Sequence, residues 1–229
     1  NDEGLRKALQ SAAKVDTLTV ESMFSLPTTL NLSGLNISDL TGLEYAINVS
    51  ELDISGNNVT SLEPIKNLYN LTSLNYSSNN VEVVPAWIFS ARKLETVNGS
   101  YNSSVSIEVP ETESSVLKNL YLENNELTAL PELSALSALE NLSLAGNQFE
   151  SFPEQLRAMS NLRVLSLNNN KLENVGDISG LTALTSLYLN NNKIHSMPSG
   201  IKTLPVLTEL QLSGNSITSV GDEITASES

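Results

Sequence analysis

Asparagine is the most regularly placed polar residue of this chain, and its side chain can both donate and accept hydrogen bonds. It recurs every 22 or 23 residues, at Asn57, Asn79, Asn102, Asn125, Asn147, Asn170, Asn192 and Asn215. In most repeats it follows two leucines spaced two residues apart, as in "LSLNNN" and "LYLNNN". An amide at this point can satisfy backbone groups of a turn that would otherwise be buried without partners. We predict that these asparagines form a structural ladder with one amide in each repeat.

Residues that could perform covalent or acid–base chemistry are sparse. The chain has no cysteine, which excludes disulfides, thiol catalysis and thiolate metal sites. Its single histidine, His195, follows an apolar residue just past a predicted strand, which favours a solvated turn residue. The sequence has no G-x-S-x-G motif, phosphate-binding glycine loop or EF-hand motif. We predict a protein that is not an enzyme and that uses no cofactor and no metal.

The charge balance narrows the possible partners. The chain has 12 basic and 26 acidic residues, a formal net charge of −14, so a nucleic acid backbone or an anionic membrane would be repelled. No apolar run approaches the roughly 20 residues that cross a bilayer. The chain starts at "NDEGL" without an initiator methionine or a signal peptide, so we expect a mature or trimmed fragment. Its 229 residues, 40% hydrophobic, suit one sizeable domain.

The asparagines belong to a longer repeat. The segments "LENLSLAGNQF", "LRVLSLNNNKL", "LTSLYLNNNKI" and "LTELQLSGNSI" share the pattern L-x-x-L-x-L-x-x-N-x-(L/I/F). Leucines two apart point to one face of a short strand, and a single coil cannot bury that face without neighbours. The pattern is identified as that of leucine-rich repeats. It predicts an α/β solenoid, or horseshoe, of about nine coils with a parallel concave β-sheet and short convex segments.

The convex segments fall into two kinds. After a 22-residue interval, apolar residues three apart, such as Val59, Leu62 and Ile65, predict 3₁₀ turns. After a 23-residue interval a proline is present, as at Pro153 and Pro198, and predicts a short helical turn that begins at the proline.

The two ends of the chain differ. Residues 1–26 predict a helical cap, in which Asp2 caps a helix that buries Leu5 and Leu9, and Thr19 caps a shorter one carrying Val20, Met23 and Phe24. Residues 27–229 hold the repeats and should form one continuous domain with the cap. The last segment, "NSITSVGDEITASES", stops part-way through a coil without a recognisable cap. We expect the natural protein to continue, or another chain to cover this end.

One coil, at about residues 98–116, lacks most of its leucines. The asparagine spacing is 23 residues on both sides of Asn102, so nothing is inserted there. Gly99 takes a leucine position, and the alternation of Val105, Ile107 and Val109 predicts an extended convex strand. We predict a degenerate, locally weak coil with Tyr101 as its one bulky side chain near the concave rim.

The helical cap, the run "LTGLEYAINVSELDISGNNVTSLEPIKNLYNLTSL" and the lack of cysteine-rich caps resemble internalin-like leucine-rich repeat proteins of bacterial cell surfaces. The resemblance covers nearly the whole chain. It implies a secreted or wall-attached bacterial protein whose concave sheet binds another macromolecule, as in adhesion or in host or envelope interaction. It does not imply which partner.

The outward residues of the predicted strands form the candidate binding face. The first half of this face is small and polar, whereas the second half has tyrosines beside amides and carboxylates, which can anchor a protein or stack on a sugar. Tyrosine and asparagine also suit exposed strand positions without any ligand. The candidate partner-binding residues are Asp53, Tyr101, Tyr121, Glu123, Val164, Asn168, Tyr188, Asn190 and Gln211. We predict a protein partner; the alternatives are a glycan or cell-wall polysaccharide, or a spacer that presents a further C-terminal domain.

Overall fold

A computed structural model describes residues 2–110 and 115–218 of the chain. These residues form a stack of coils in which each coil contributes one short strand to a parallel, nine-stranded sheet. The predicted leucine-rich repeat solenoid is therefore confirmed. None of the helices in the described part of the chain has the length and apolar character needed to cross a bilayer.

Each strand of the sheet spans three residues. In each repeat, one inward residue lies between two outward ones, and the chain then turns. The burial patterns of the strands show this alternation, with a buried Leu or Val at the centre of all strands but the last. The strands, in their order across the sheet, are β1 (Thr29–Asn31), β2 (Glu51–Asp53), β3 (Ser73–Asn75), β5 (Thr96–Asn98), β7 (Asn119–Tyr121), β8 (Asn141–Ser143), β9 (Val164–Ser166), β10 (Ser186–Tyr188) and β11 (Glu209–Gln211).

The register between strands matches the repeat spacing. Leu30 lies opposite Leu52, Leu142 opposite Leu165, and Leu187 opposite Leu210. Equivalent residues of successive coils therefore form straight rows across the sheet, about 4.8 Å apart. One apolar core lies behind the sheet and runs from Leu5 in the first helix to Leu204 near the last described coil.

The helices on the convex side differ between the two kinds of return segment. The 3₁₀ helices η1 (Leu43–Tyr45) and η2 (Glu63–Ile65) lie in coils with the shorter interval, and later coils of this kind have single turns such as the one closed by Leu136 N and Leu133 O. Three coils with the 23-residue interval hold helix α3 (Trp87–Ser90) and the 3₁₀ helices η3 (Glu154–Ala158) and η4 (Ile201–Thr203), which follow Pro85, Pro153 and Pro198. The prediction that these helices begin at the proline is wrong: the proline lies one to three residues earlier.

The cap contains two helices, α1 (Glu3–Ala13) and α2 (Val20–Met23). The Asp2 carboxylate accepts from Leu5 N at 3.0 Å and from Ser38 N at 2.8 Å, so it both caps α1 and ties it to the first coil. Leu5, Leu9 and Met23 are buried. Val20 and Phe24, expected to help close the core, are instead 45% and 44% exposed, because a helix of only four residues turns one side chain inward.

In the coil that lacks leucines, a side chain of the preceding coil fills part of the core. The Tyr76 side chain is fully buried and occupies the space that a leucine at position 99 would take; a Cβ atom on Gly99 would overlap the Tyr76 ring. On the convex side, β6 (Ser106–Ile107) pairs in parallel with β4 (Val83–Val84), which confirms the predicted extended strand. The coil therefore retains its backbone pairing on both faces although its own apolar side chains are few.

Candidate binding face of the concave sheet

The repeating asparagines lie where the strands end and connect consecutive coils. Asn147 Nδ2 donates to Leu144 O in its own coil at 3.0 Å and to Leu122 O in the preceding coil at 2.9 Å. Its Oδ1 accepts from Leu127 N, also in the preceding coil, at 3.0 Å. A single amide thus satisfies both carbonyl and N–H groups that the turn removes from the sheet. The same pattern holds Asn57, Asn79, Asn102, Asn125, Asn170, Asn192 and Asn215.

In the first half of the sheet, the polar side chain at the last residue of each strand bonds to the turn of its own coil, whereas Thr29 Oγ1 donates to Glu51 Oε2 in the next coil at 3.1 Å. The Asp53 carboxylate accepts from Ser55 N at 2.8 Å, two residues ahead. Asn31, Asn75 and Asn98 make the same contact with the residue two positions later. In each of these side chains, one oxygen therefore accepts a hydrogen bond from the turn that follows its strand. Asp53 lies on β2, apart from the other candidate residues.

The second half of the sheet connects its outward side chains across strands. The Tyr188 hydroxyl donates to Glu209 Oε2 at 2.7 Å, and Gln211 Nε2 donates to Glu209 Oε1 at 2.7 Å. The hydrogen bonds from Tyr188 and then from Gln211 lower the pKa of Glu209, so this carboxylate is ionised at neutral pH. Asn190 Nδ2 in turn donates to Gln211 Oε1 at 2.6 Å, which extends the network to four of these side chains.

Asn168 joins the network through the backbone. Its Oδ1 accepts from Asn190 N at 2.8 Å, and the Asn190 Oδ1 accepts from Ser213 N at 3.0 Å. Each of the two side-chain amides therefore accepts from a backbone N–H of the next coil, Asn168 from that of Asn190 and Asn190 from that of Ser213. Their fixed orientation leaves the face with preorganised polar groups.

A second group surrounds Tyr121 at the end of β7. The Glu123 carboxylate accepts from Ser143 Oγ at 2.7 Å, so it leans toward β8. Tyr121 lies opposite Ser143, which lies opposite Ser166, which lies opposite Tyr188. Two tyrosines thus stand about 14 Å apart, three strand spacings, with two serines between them. Val164, the first residue of β9, lies beside this row of tyrosines and serines and is half-buried.

A row of two amides, Asn119 and Asn141, continues from Val164 along the same side of the tyrosines and serines. Asn119 Nδ2 donates to Thr96 Oγ1 at 3.0 Å, and Asn141 Nδ2 donates to Asn119 Oδ1 at 2.6 Å. The sequence places both asparagines on the outward face, but their coupling depends on the register of three strands. Neither was among the predicted site residues.

Tyr101 lies at the rim and not on the strands. It is 59% exposed and has a φ of +56°, in the left-handed region that disfavours bulky side chains. The equivalent residues of other coils are Gly or Asn in most cases, such as Gly146, Asn169 and Asn191. The structure therefore separates Tyr101 from the Tyr121 group by backbone position, although Tyr101 N donates to Glu123 O at 2.7 Å.

A further apolar group on the flank was missed by the sequence analysis. Phe24, Tyr45, Ile47 and Tyr69 are all exposed, and Tyr69 is 69% exposed. Asn70 Nδ2 donates to Ile47 O at 2.9 Å, and Asn48 Nδ2 donates to Phe24 O at 2.6 Å, which places these coils side by side. The 22-residue interval between Ile47 and Tyr69 is the signal that could have located it.

The remaining candidate for chemistry is isolated. His195 is exposed, and its backbone N–H donates to Glu173 O at 3.4 Å. Within residues 2–110 and 115–218, no three His, Cys, Asp or Glu side chains are grouped so that they could hold a metal ion. The side chains that the structure does bring together are hydrogen-bonding and aromatic groups, which suit recognition.

Comparison with known proteins agrees with this architecture. The family model of leucine-rich repeats in two copies matches residues 115–157 and 160–203. Internalin C2 of Listeria monocytogenes is 26% identical over 98% of this chain and 89% of its own chain, with a TM-score of 0.69. A leucine-rich repeat protein of Leptospira interrogans is 25% identical over 91% of this chain but only 57% of its own, with a TM-score of 0.70. A search of curated proteins found no significant match. With its repeats, parallel solenoid and N-terminal helices, the chain is similar in sequence pattern and fold to internalin-like leucine-rich repeat proteins.

Proposed function

We propose that this chain is the binding module of a bacterial surface or secreted protein and that it recognises a protein partner through the second half of its concave sheet. Its leucine-rich repeats make it a scaffold for protein interactions. The cap of residues 1–26 and the coils of residues 27–229 would act as one continuous domain, which the single core supports for the described residues.

One observation carries the proposal: the polar side chains at the last residue of each strand are engaged differently in the two halves of the sheet. In the first half they bond to their own turns, as Asp53 does. From β7 to β11 several of them bond between coils, as Ser143 does to Glu123 and Tyr188 to Glu209. Rigid tyrosines beside oriented amides resemble the anchors of protein interfaces, because they lose little conformational entropy on binding.

The resemblance to internalin-like proteins supports an extracytoplasmic location, with adhesion or an envelope interaction as the role. The acidic surface, with a formal net charge of −14, favours partners that are neutral or basic. Catalysis is not part of the proposal.

The test is a partner screen with matched variants. The wild-type domain, Tyr121→Ala/Tyr188→Ala and the control Asn75→Ala/Asn98→Ala would be compared in crosslinking and affinity capture against surface extracts. We expect a specific protein to be retained by the wild type and by the control but lost by the tyrosine variant, with all three equally stable. Retention by the tyrosine variant would show that the second half of the sheet is not the site.

A glycan ligand is the second candidate, because the tyrosines stand beside the hydrogen-bonding amides Asn168 and Asn190. Aromatic faces with neighbouring amides can stack on sugars and bond to their hydroxyls. Saturable binding to a defined oligosaccharide or cell-wall polysaccharide that the tyrosine variant abolishes would favour this candidate over a protein partner.

A further inference from the structure

The two tyrosines of the concave sheet each have a carboxylate at hand. Glu209 lies against the Tyr188 hydroxyl at 2.7 Å and is also oriented by Gln211. Glu123 follows Tyr121 in the same coil and is oriented by Ser143 at 2.7 Å. A carboxylate beside an aromatic ring provides the two attractions that a basic side chain seeks, an ionic hydrogen bond and a cation–π contact.

No positive charge on the sheet balances these carboxylates. Across the nine described strands the outward residues include Glu51, Asp53 and Glu209 but no Lys or Arg, and Glu123 adds a charge just past β7. The nearest basic residues in sequence lie on the rim before the strands. Lys118 Nζ lies 2.9 Å from Glu95, and Arg163 Nε lies 3.3 Å from Glu140, so each is already engaged by a rim carboxylate.

The space between the two pairs fits an extended chain. Ser143 and Ser166 form a floor of small side chains between Tyr121 and Tyr188, about 14 Å apart. In an extended segment, side chains four residues apart point the same way and span about 13 Å. Because Glu123 lies at the strand-end side of β7 and Glu209 at the strand-start side of β11, such a segment would cross the sheet diagonally.

We propose that the partner presents an extended polypeptide segment with two basic side chains four residues apart, one at the Tyr121–Glu123 pair and the other at the Tyr188–Glu209 pair. This inference rests on the proposed function and specifies the chemistry of the partner. Two ionic contacts of this kind also favour fast, salt-dependent association.

The test uses a blocked synthetic peptide, acetyl-Gly-Arg-Gly-Ser-Gly-Arg-Gly-amide, titrated into the protein at low salt and followed by NMR. A second peptide of equal charge carries its two arginines side by side. We expect the spaced peptide to shift resonances around Tyr121 and Tyr188 and to bind at least about fivefold more tightly than the adjacent-arginine peptide, because only spaced arginines can occupy both pairs at once.

Two variants of equal charge complete the design. Glu123→Gln/Glu209→Gln should weaken binding of the spaced peptide about tenfold, whereas the control Glu51→Gln/Asp53→Asn should weaken it less than about twofold. Equal losses in both variants, or equal binding of the two peptides, would overturn the inference, because both results indicate unspecific attraction to an acidic surface. If the natural partner is lost by the tyrosine variant but kept by Glu123→Gln/Glu209→Gln, this inference fails while the proposed function stands.

Discussion

Two coils of the same solenoid fill the space behind the sheet in different ways. In the coil of β9, Leu165 and Leu167 are fully buried and pack within their own repeat position. In the coil of β5, Gly99 replaces the second leucine, and the fully buried Tyr76 of the preceding coil occupies the vacant space. The comparison shows that volume behind the sheet is shared between neighbouring coils. A repeat that has lost a side chain can be complete in the folded core.

The substitution Gly99→Leu, which restores the leucine of the repeat, tests most directly whether Tyr76 occupies the space of that leucine. Because the new side chain would overlap the Tyr76 ring, we expect a loss of more than about 3 kcal/mol of unfolding free energy. In a Tyr76→Leu background the same change should restore much of the stability, since two leucines would then occupy two leucine positions. Urea unfolding of the four proteins measures the coupling; an equal effect of Gly99→Leu in both backgrounds would contradict it.

The asparagine ladder offers the next largest effect. Asn147→Ala leaves Leu122 O, Leu144 O and Leu127 N without their amide partner in a buried turn, and should cost about 3 kcal/mol. Asn102→Ala removes equivalent bonds in the coil of β5, but Asn102 is half-buried and water can replace part of the loss, so about 1–2 kcal/mol is expected. Chemical denaturation compares the two, and a larger loss for Asn102→Ala would reverse the proposed order.

Hydrogen exchange tests whether the coil of β5 opens more readily. Gly99 N donates to Tyr121 O, and Leu167 N makes the equivalent bond to Tyr188 O, so the two amides are matched. The core of this coil includes Ile107, 8% exposed, which together with Phe89 and leucines of the next two coils lines an apolar cavity of about 10 Å³. We expect Gly99 N to exchange at least about tenfold faster than Leu167 N after correction for intrinsic rates. Equal protection would mean that Tyr76 compensates fully.

The Tyr76 hydroxyl is a second difference between the coil of β5 and a regular coil, in which a leucine has no polar group to bury. It is buried and has no hydrogen-bond partner among the described residues, so Tyr76→Phe should raise the unfolding free energy by about 1 kcal/mol. Burial raises the pKa of Tyr76 above its ordinary value. The unfolded chain therefore loses this proton first, and stability should fall by up to about 1.4 kcal/mol per pH unit above pH ~10. Unfolding curves at pH 7 and 11 measure both effects, and Tyr76→Phe should be the less sensitive protein at pH 11.

The smallest expected effect is at the rim of the same coil. Tyr101 has a φ of +56°, whereas the equivalent Asn169 has a φ of +55° with a side chain that tolerates it. Tyr101→Asn should therefore stabilise the protein by about 0.5–1 kcal/mol, and the reciprocal Asn169→Tyr should destabilise it by a similar amount. Thermal unfolding measures both. If Tyr101→Asn lowers stability, the aromatic ring contributes packing that its exposure does not suggest.

The binding face shows a similar division between what sequence and structure provide. The repeat predicted which residues face outward, because side chains alternate along each strand and every strand has the same register. It could not predict that Glu209 bonds to Tyr188 or that Glu123 turns toward Ser143, because these contacts depend on side-chain directions across neighbouring strands. The exposure of the flank residues Tyr45 and Tyr69 could not be predicted in this way, because the return segments have no strict alternation of inward and outward side chains.

The sequence by itself determined the repeat, the parallel solenoid and the asparagine ladder, because a period of 22 or 23 residues constrains every coil in the same way. It also located the helix that Asp2 caps, since capping depends on neighbouring residues. Only the tertiary structure decided that Tyr76 fills the place of a missing leucine. It also decided that the side chains ending the first four strands bond to their own turns, whereas Tyr188 and Gln211 join a network between coils. The physical reason is that packing volume and side-chain hydrogen bonds are settled between coils, where residues more than twenty positions apart become neighbours.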